Sequence, residues 1–279
     1  MTSTITIGGD LEVRRLGFGA MRITGDGIWG PPDDADEAKR LLRRVVELDM
    51  NLIDTADSYG PEVSENLIAE ALHPYPDDLV IATKGGLRRT GPGEWPRDAH
   101  PERLKQCCEG SLRRLRLDRI DLYQLHAPDP QVPLEDSLGA LRELQEEGKI
   151  RHIGVSNVST EELERARAVV DVVSVQDRFN LVDRGTESVL DACERASIGF
   201  IPWFPLATGD LARSRGPLEE LASSHGATPG QLALAWLLAR SPIMMPIPGT
   251  SSIEHLEENL AAERISLDDD ELERLAAAA

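Results

Sequence analysis

From Leu16 onward, short apolar segments alternate with longer amphipathic ones almost without interruption. The apolar segments are residues 16–21, 51–54, 79–84, 120–125, 150–155, 172–175, 199–204 and 243–247. Helical periodicity fills the intervals at 33–48, 63–72, 101–115, 134–147, 161–170, 186–196, 218–224, 229–239 and 253–262, with a terminal helix over 268–277. Strands that alternate with helices at roughly thirty-residue spacing demand right-handed crossovers and therefore a parallel sheet. About eight such units close into a (β/α)8 TIM barrel. Residues 4–7 and 11–13, joined by Gly8-Gly9-Asp10, predict an N-terminal β-hairpin that covers one end. The terminal helix is an addition to the barrel.

The competing architecture is an open doubly wound sheet. Leu16-Gly17-Phe18-Gly19-Ala20-Met21 spaces two glycines as G-x-G but lacks the third glycine of a dinucleotide fingerprint, which disfavours that sheet. No Pro/Gly/Ser-rich linker divides the chain, so residues 1–279 are expected to form a single domain. The formal charge of −19 argues against a nucleic-acid surface, which needs clustered Lys and Arg. An anionic cofactor would have to be held by local donors such as helix N-termini. With no apolar run long enough to span a bilayer and no basic, apolar leader, the chain reads as cytoplasmic, without a membrane partner. Cys107, Cys108 and Cys193 are too few and too poorly spaced for a disulfide framework or a zinc site.

In a barrel, polar residues at the C-terminal ends of the strands share one face. Successive strands here end in Asp54, Lys84, His126, Asn157 and Gln176, with Tyr59 five residues beyond Asp54. A phenol of ordinary pKa near 10 is a poor donor at neutral pH. An ammonium within hydrogen-bond reach favours the phenolate and lowers that value, so Lys84 is expected to activate Tyr59 while Asp54 pairs with Lys84. His126, as neutral imidazole, would orient a substrate oxygen. The set contains neither a nucleophile-base-orienter triad nor a metal-ligand cluster. A proton donor without a nucleophile implies a hydride from a cofactor. Asp57 and Ser58, equally polar, read as turn residues.

These residues carry a resemblance to the aldo-keto reductases. It runs through Gly17-Phe18-Gly19-Ala20-Met21, residues 51–60, Ile81-Ala82-Thr83-Lys84, Leu125-His126, Ile153-Gly154-Val155-Ser156-Asn157, Pro205-Leu206 and Ile247-Pro248-Gly249-Thr250. The resemblance implies an NADPH-dependent oxidoreductase that reduces an aldehyde or ketone, with Tyr59 as acid and Asp54, Lys84 and His126 completing a tetrad. It implies that Ser156, Asn157 and Gln176 hold the nicotinamide carboxamide and that Trp203 stacks on the ring, where many members carry a tyrosine. Gly19, Met21, Pro205 and Leu206 join the cofactor side.

At the adenosine end, familiar members carry Lys and Arg where this chain has Gly249 and His255. Gly249-Thr250-Ser251-Ser252 offers hydroxyls, backbone N–H groups and a helix N-terminus instead, so NADPH is favoured over NADH by a smaller margin. Glu258 and Asn259 match adenine-contacting positions. Residues 15–33 and 246–252 resemble a bacterial branch that includes pyridoxal reductases, which implies an aromatic aldehyde such as pyridoxal; Trp29, Trp95 and Met21 are candidate pocket walls. The expected partner is a small carbonyl compound, with the chain a monomer or weak homo-oligomer. Two rivals remain at this point: a nucleotide-sensing regulatory module, and a Schiff-base aldolase using Lys84.

Overall fold

An antiparallel hairpin, β1 (Thr4–Ile7) and β2 (Leu11–Arg14), opens the computed structural model, which describes residues 3–213 and 216–278. Its turn places Gly8 and Gly9 at φ of 60° and 81°, a region that disfavours any residue with a Cβ. The hairpin buries Ile7, Leu11 and Val13 against Leu52, Val80, Leu122, Ile201 and Met245 from the strands that follow, and so plugs the N-terminal end of the barrel. The apolar effect alone suffices for this, since a barrel mouth left open would wet those side chains.

Seven strands then pair in chain order as one parallel sheet: β3 (Phe18–Gly19), β4 (Leu52–Asp54), β5 (Val80–Gly85), β6 (Ile120–Leu125), β7 (Ile150–Ser156), β8 (Val172–Arg178) and β9 (Gly199–Trp203). Helices α1 (Ala35–Glu47), α2 (Val63–Leu72), α3 (Pro101–Leu115), α4 (Leu134–Glu146), α5 (Thr160–Arg167) and α6 (Glu187–Ala196) form the crossovers. After β9 come α7 (Pro217–Ser224), α8 (Pro229–Arg240) and α9 (Ile253–Ala261), and α10 (Asp269–Ala278) is the added helix. Local chemistry sets the boundaries. Asp34 caps α1 by accepting from the Glu37 N–H, Ser159 and Glu162 form a capping box on α5, and Gly148, with φ of 78°, ends the α4 turn. Residues 214 and 215, between β9 and α7, lie outside the described residues.

Segment 243–248 closes the circle without forming a full ladder. It lies beside β9 through Phe200 N–H to Ile243 O at 2.9 Å and Met245 N–H to Phe200 O at 2.7 Å. On its other side, Gly17 and Gly19 of the β3 region donate to Pro246 O at 3.0 Å and Pro248 O at 3.5 Å. The positions whose N–H would face β3 are the two prolines, which accept but cannot donate. The eighth strand is therefore present in position, but it both donates and accepts beside β9 and only accepts beside β3. The first strand is also shorter than the sequence pattern predicts: after Gly19 the chain turns into a 3-10 segment, Ala20–Ile23, closed by the Thr24 hydroxyl on Met21 O.

Candidate active site

Strand parity builds the site. Leu52, Val80 and Leu122 point into the apolar lower interior, and the residues two or four positions on, Asp54, Lys84 and Gln124, occupy the same face nearer the C-terminal rim. The register sets Lys84 beside Gln124 and Ser156 beside Gln176, so the barrel interior changes from apolar to polar over about one layer.

At this layer the fully buried Lys84 ammonium donates to Asp54 Oδ2 at 2.6 Å, to Thr55 O at 2.8 Å and to the Tyr59 hydroxyl at 3.3 Å. The other carboxylate oxygen of Asp54 accepts from Gln176 Nε2 at 2.7 Å and Gln124 Nε2 at 3.3 Å. Both oxygens of a buried carboxylate are thus satisfied, as burial of a charge requires. Gln124 was not among the expected site residues, although its parity with His126 along β6 is visible in the sequence. Gln176, expected to hold a cofactor amide, gives one of its amide hydrogens to Asp54 and lines the cavity.

Electrostatics follow from this packing. Burial opposes the Lys84 charge, but Asp54 and Tyr59 together carry its pKa above the ordinary lysine value, so it remains an ammonium. Burial also raises the Tyr59 phenol; Lys84 pulls it down and Asp54 pushes it up again. The ammonium acts in the expected direction, yet the cost of a desolvated phenolate exceeds its pull, and the net shift is upward. His126 is held well below its ordinary value, by burial and by the nearby Lys84 charge, and is neutral. Its Nδ1 lies 3.4 Å from the Ser58 hydroxyl, and its ring meets Tyr59 edge-on at 6.0 Å. Ser58 is therefore more than the turn residue it was expected to be.

A cavity of about 1530 Å³ runs across this rim. It is lined by Asp54, Tyr59, His126, Ser156, Asn157 and Gln176, and by Gly19, Met21, Trp203, Pro205, Leu206, Gly249, Thr250, Ser251, His255, Glu258 and Asn259, which were expected on a cofactor side. Ser252 is absent from the lining and caps α9 through the His255 N–H. Trp95 lines the cavity, but Trp29 does not: its backbone pairs with Gly60 and its ring lies 5.5 Å from the Arg89 guanidinium. The pocket wall expected at Trp29 is supplied by its neighbours Gly27 and Ile28.

The lining suits a long, anionic, amide-bearing ligand. Trp203 presents a partly exposed ring to the cavity, while its Nε1 is buried with no hydrogen-bond partner. At the other end Gly19 and Gly249 bring two backbones close: a Cβ at Gly249 would stand 2.8 Å from Gly19 O. The N-terminus of α9 and the Thr250 and Ser251 hydroxyls flank that cradle, a donor set suited to phosphate. The Asn157 side chain is positioned by donating to His126 O at 2.9 Å and to the Ser156 hydroxyl at 3.0 Å. Glu258 is partly committed, since its carboxylate accepts from Thr228 at 2.6 Å. Among the described residues no group of His, Cys, Asp or Glu is placed to hold a metal ion, and no helix is long and apolar enough to cross a membrane.

Comparison with known proteins agrees with this geometry. The chain is 52% identical over 259 residues to an uncharacterized oxidoreductase of Schizosaccharomyces pombe, covering 93% of this chain and 84% of that protein. It is 42% identical over 281 residues to pyridoxine 4-dehydrogenase of Escherichia coli, covering 98% and 97%. An aldo-keto reductase from Klebsiella pneumoniae, solved in complex with NADPH, superposes with a TM-score of 0.86 at 29% identity, covering all of this chain and 95% of that one. The family model for aldo/keto reductases matches residues 15–279, and the chain belongs to the aldo/keto reductase family.

Proposed function

We propose that this NADP-dependent aldo-keto reductase reduces an aromatic aldehyde of the pyridoxal kind to its alcohol, with Tyr59 as the proton donor. The observation that carries the reading is the buried Lys84 ammonium bonded at once to Asp54 and to the Tyr59 hydroxyl, with neutral His126 beside it on the cavity wall. The bound cofactor supplies the hydride. Ser156, Asn157 and Gln176 would hold its amide end and Trp203 its ring, while Gly249, Thr250, Ser251 and the start of α9 would hold its phosphates.

The chain's own residues account for the proton. A phenol raised by burial stays protonated at neutral pH and is available to a developing alkoxide. As the proton leaves, Lys84 at 3.3 Å stabilises the phenolate that remains. The tautomer in which the Ser58 hydroxyl donates to Nδ1 leaves the His126 Nε2–H as the donor for the carbonyl oxygen. Asp54 keeps Lys84 charged and in place, and the two glutamines keep Asp54 from turning away.

A Schiff-base role for Lys84 is disfavoured by the same contacts. An amine held as ammonium by three acceptors has no lone pair to offer. The substrate class rests on the similarity to E. coli pyridoxine 4-dehydrogenase, whose named substrate is the alcohol partner of pyridoxal, and on the apolar wall of Ile28, Leu87 and Trp95.

The test is to follow the nicotinamide absorbance of NADPH and NADH with pyridoxal and a panel of aromatic and aliphatic aldehydes, for wild type and Tyr59→Phe. Wild type is expected to oxidise NADPH with pyridoxal. Tyr59→Phe is expected to lose kcat by about 10²–10⁴, the usual contribution of a general acid, with NADPH affinity unchanged. A Tyr59→Phe enzyme of near-normal kcat would sink the assignment. Binding of NADPH without turnover on any carbonyl would favour a sensing role.

A further inference from the structure

Arg89 lies in the connection between β5 and α3, and among the described residues all its hydrogen bonds go to backbone carbonyls. Nη1 donates to Ile28 O at 2.7 Å and Ser58 O at 3.1 Å; Nη2 donates to Gly27 O at 3.0 Å and Gly91 O at 3.4 Å; Nε donates to Glu94 O at 3.0 Å. Five acceptors use the full donor capacity of a guanidinium. Among the described residues no carboxylate forms an ion pair with it. The acceptors come from three separate connections: the one after β3, the turn after β4 that carries Tyr59, and the one after β5.

Two further contacts give this arrangement a direction. The guanidinium carbon lies 3.6 Å from the centroid of the Trp95 ring, and that ring meets Tyr59 edge-on at 6.4 Å. On the other side, Gly27, Ile28 and Gly30 have φ of 64°, 57° and 70°, so a β-branched residue sits in the left-handed region. Such a backbone persists only when its surroundings over-determine it. Arg89 takes the carbonyls of two of those residues, and Gly60 accepts from the Gly30 N–H. Ile28 and Trp95 both line the cavity in front of the Tyr59 hydroxyl, whereas Arg89 itself does not.

We propose that Arg89 is a positioning residue that joins the three connections into one preordered wall, and that this wall makes the site selective for flat aromatic aldehydes over small aliphatic ones. A small aldehyde needs only the oxygen site at Tyr59 and His126. A flat ring gains from the Trp95 and Ile28 surfaces, and gains most when they are ordered before it arrives. The inference rests on the reading of this cavity as a carbonyl pocket. Lysine cannot replace the fork: it keeps the charge but has three donors on a flexible stem.

The experiment compares wild type with Arg89→Lys in two measurements. The first is amide hydrogen exchange of the protein without substrate. Exchange is expected to rise at residues 25–30 and 90–95 and to stay unchanged in the barrel strands. The second is kcat/KM for benzaldehyde, pyridoxal and propanal. The aromatic values are expected to fall by about tenfold or more, as for misplacement of a positioning group, with propanal and NADPH affinity within about threefold. Unchanged exchange at those segments, or an unchanged aromatic-to-aliphatic ratio, overturns the proposal.

If wild type reduces none of the three aldehydes, the carbonyl reading fails, and the exchange comparison still decides whether Arg89 orders the wall. If Arg89→Lys exchanges throughout the barrel, Trp95→Leu takes its place. That variant keeps the carbonyl bonds of Arg89 and is expected to lose the aromatic preference; a retained preference overturns the proposal equally.

Discussion

Lys84 and Asp54 form an ion pair of 2.6 Å with almost no exposure of either side chain, at the end of two adjacent parallel strands. Removing one member of such a pair leaves an uncompensated buried charge and costs about 3–5 kcal/mol. Lys84→Met is therefore expected to lose stability of that order in urea unfolding. Lys84→Met combined with Asp54→Asn is expected to recover most of it, because the buried charge is gone and the glutamines still have an amide to bond. Both enzymes are expected to be nearly inactive. A double variant as unstable as the single one contradicts this account.

Asp57 gives stability a pH dependence. Burial raises its carboxyl from 3.8 to about 7, Glu65 pushes the same way, and Cys107, Arg114 and Arg103 pull down by less. The native state then binds a proton more tightly than the unfolded chain, so stability falls as pH rises from about 4 to about 7 and the loss persists above. Asp57→Asn removes that titration. Its stability relative to wild type is expected to grow by on the order of 2–3 kcal/mol between about pH 5 and about pH 8. Denaturant unfolding at the two pH values checks it; a gain that does not change with pH rules the explanation out.

Gly249 lies where two backbones meet at the cavity wall. A Cβ there would meet Gly19 O at 2.8 Å and Arg22 Cγ at 3.4 Å, and one at Gly19 would meet Ile247 O at 2.6 Å. The backbones there are too close for a longer residue. On the proposed cofactor site, Gly249→Lys is expected to lower stability by about 1–3 kcal/mol and to weaken NADPH binding rather than strengthen it. Thermal melting and fluorescence titration with NADPH and NADH measure both. Tighter NADPH binding in a stable variant would show that the space exists.

Much of this molecule was legible before any coordinates, and the reason is periodicity. Helices α2 and α3 begin and end where the pattern placed them, because Pro101 suits a first helical turn and an apolar face every three to four residues has one solution. Asp54, Lys84 and His126 stood out together, because they close three successive apolar strands beside a tyrosine. Gln124 was harder to see, since a glutamine one residue inside a strand resembles any edge residue until parity and register bring it to Asp54.

What the chain determined by itself was the alternation, hence a closed parallel barrel, and the identity of the groups at its rim. Only the tertiary structure decided what those groups do to one another. The upward shift of Tyr59, the neutrality of His126 and the charge on Lys84 depend on how much water the packed barrel excludes, a sum over neighbours from many strands. Arg89 is the clearest case. Its acceptors are backbone carbonyls, which every residue carries and no sequence marks, so its place at the junction of three loops exists only once the barrel has brought them together.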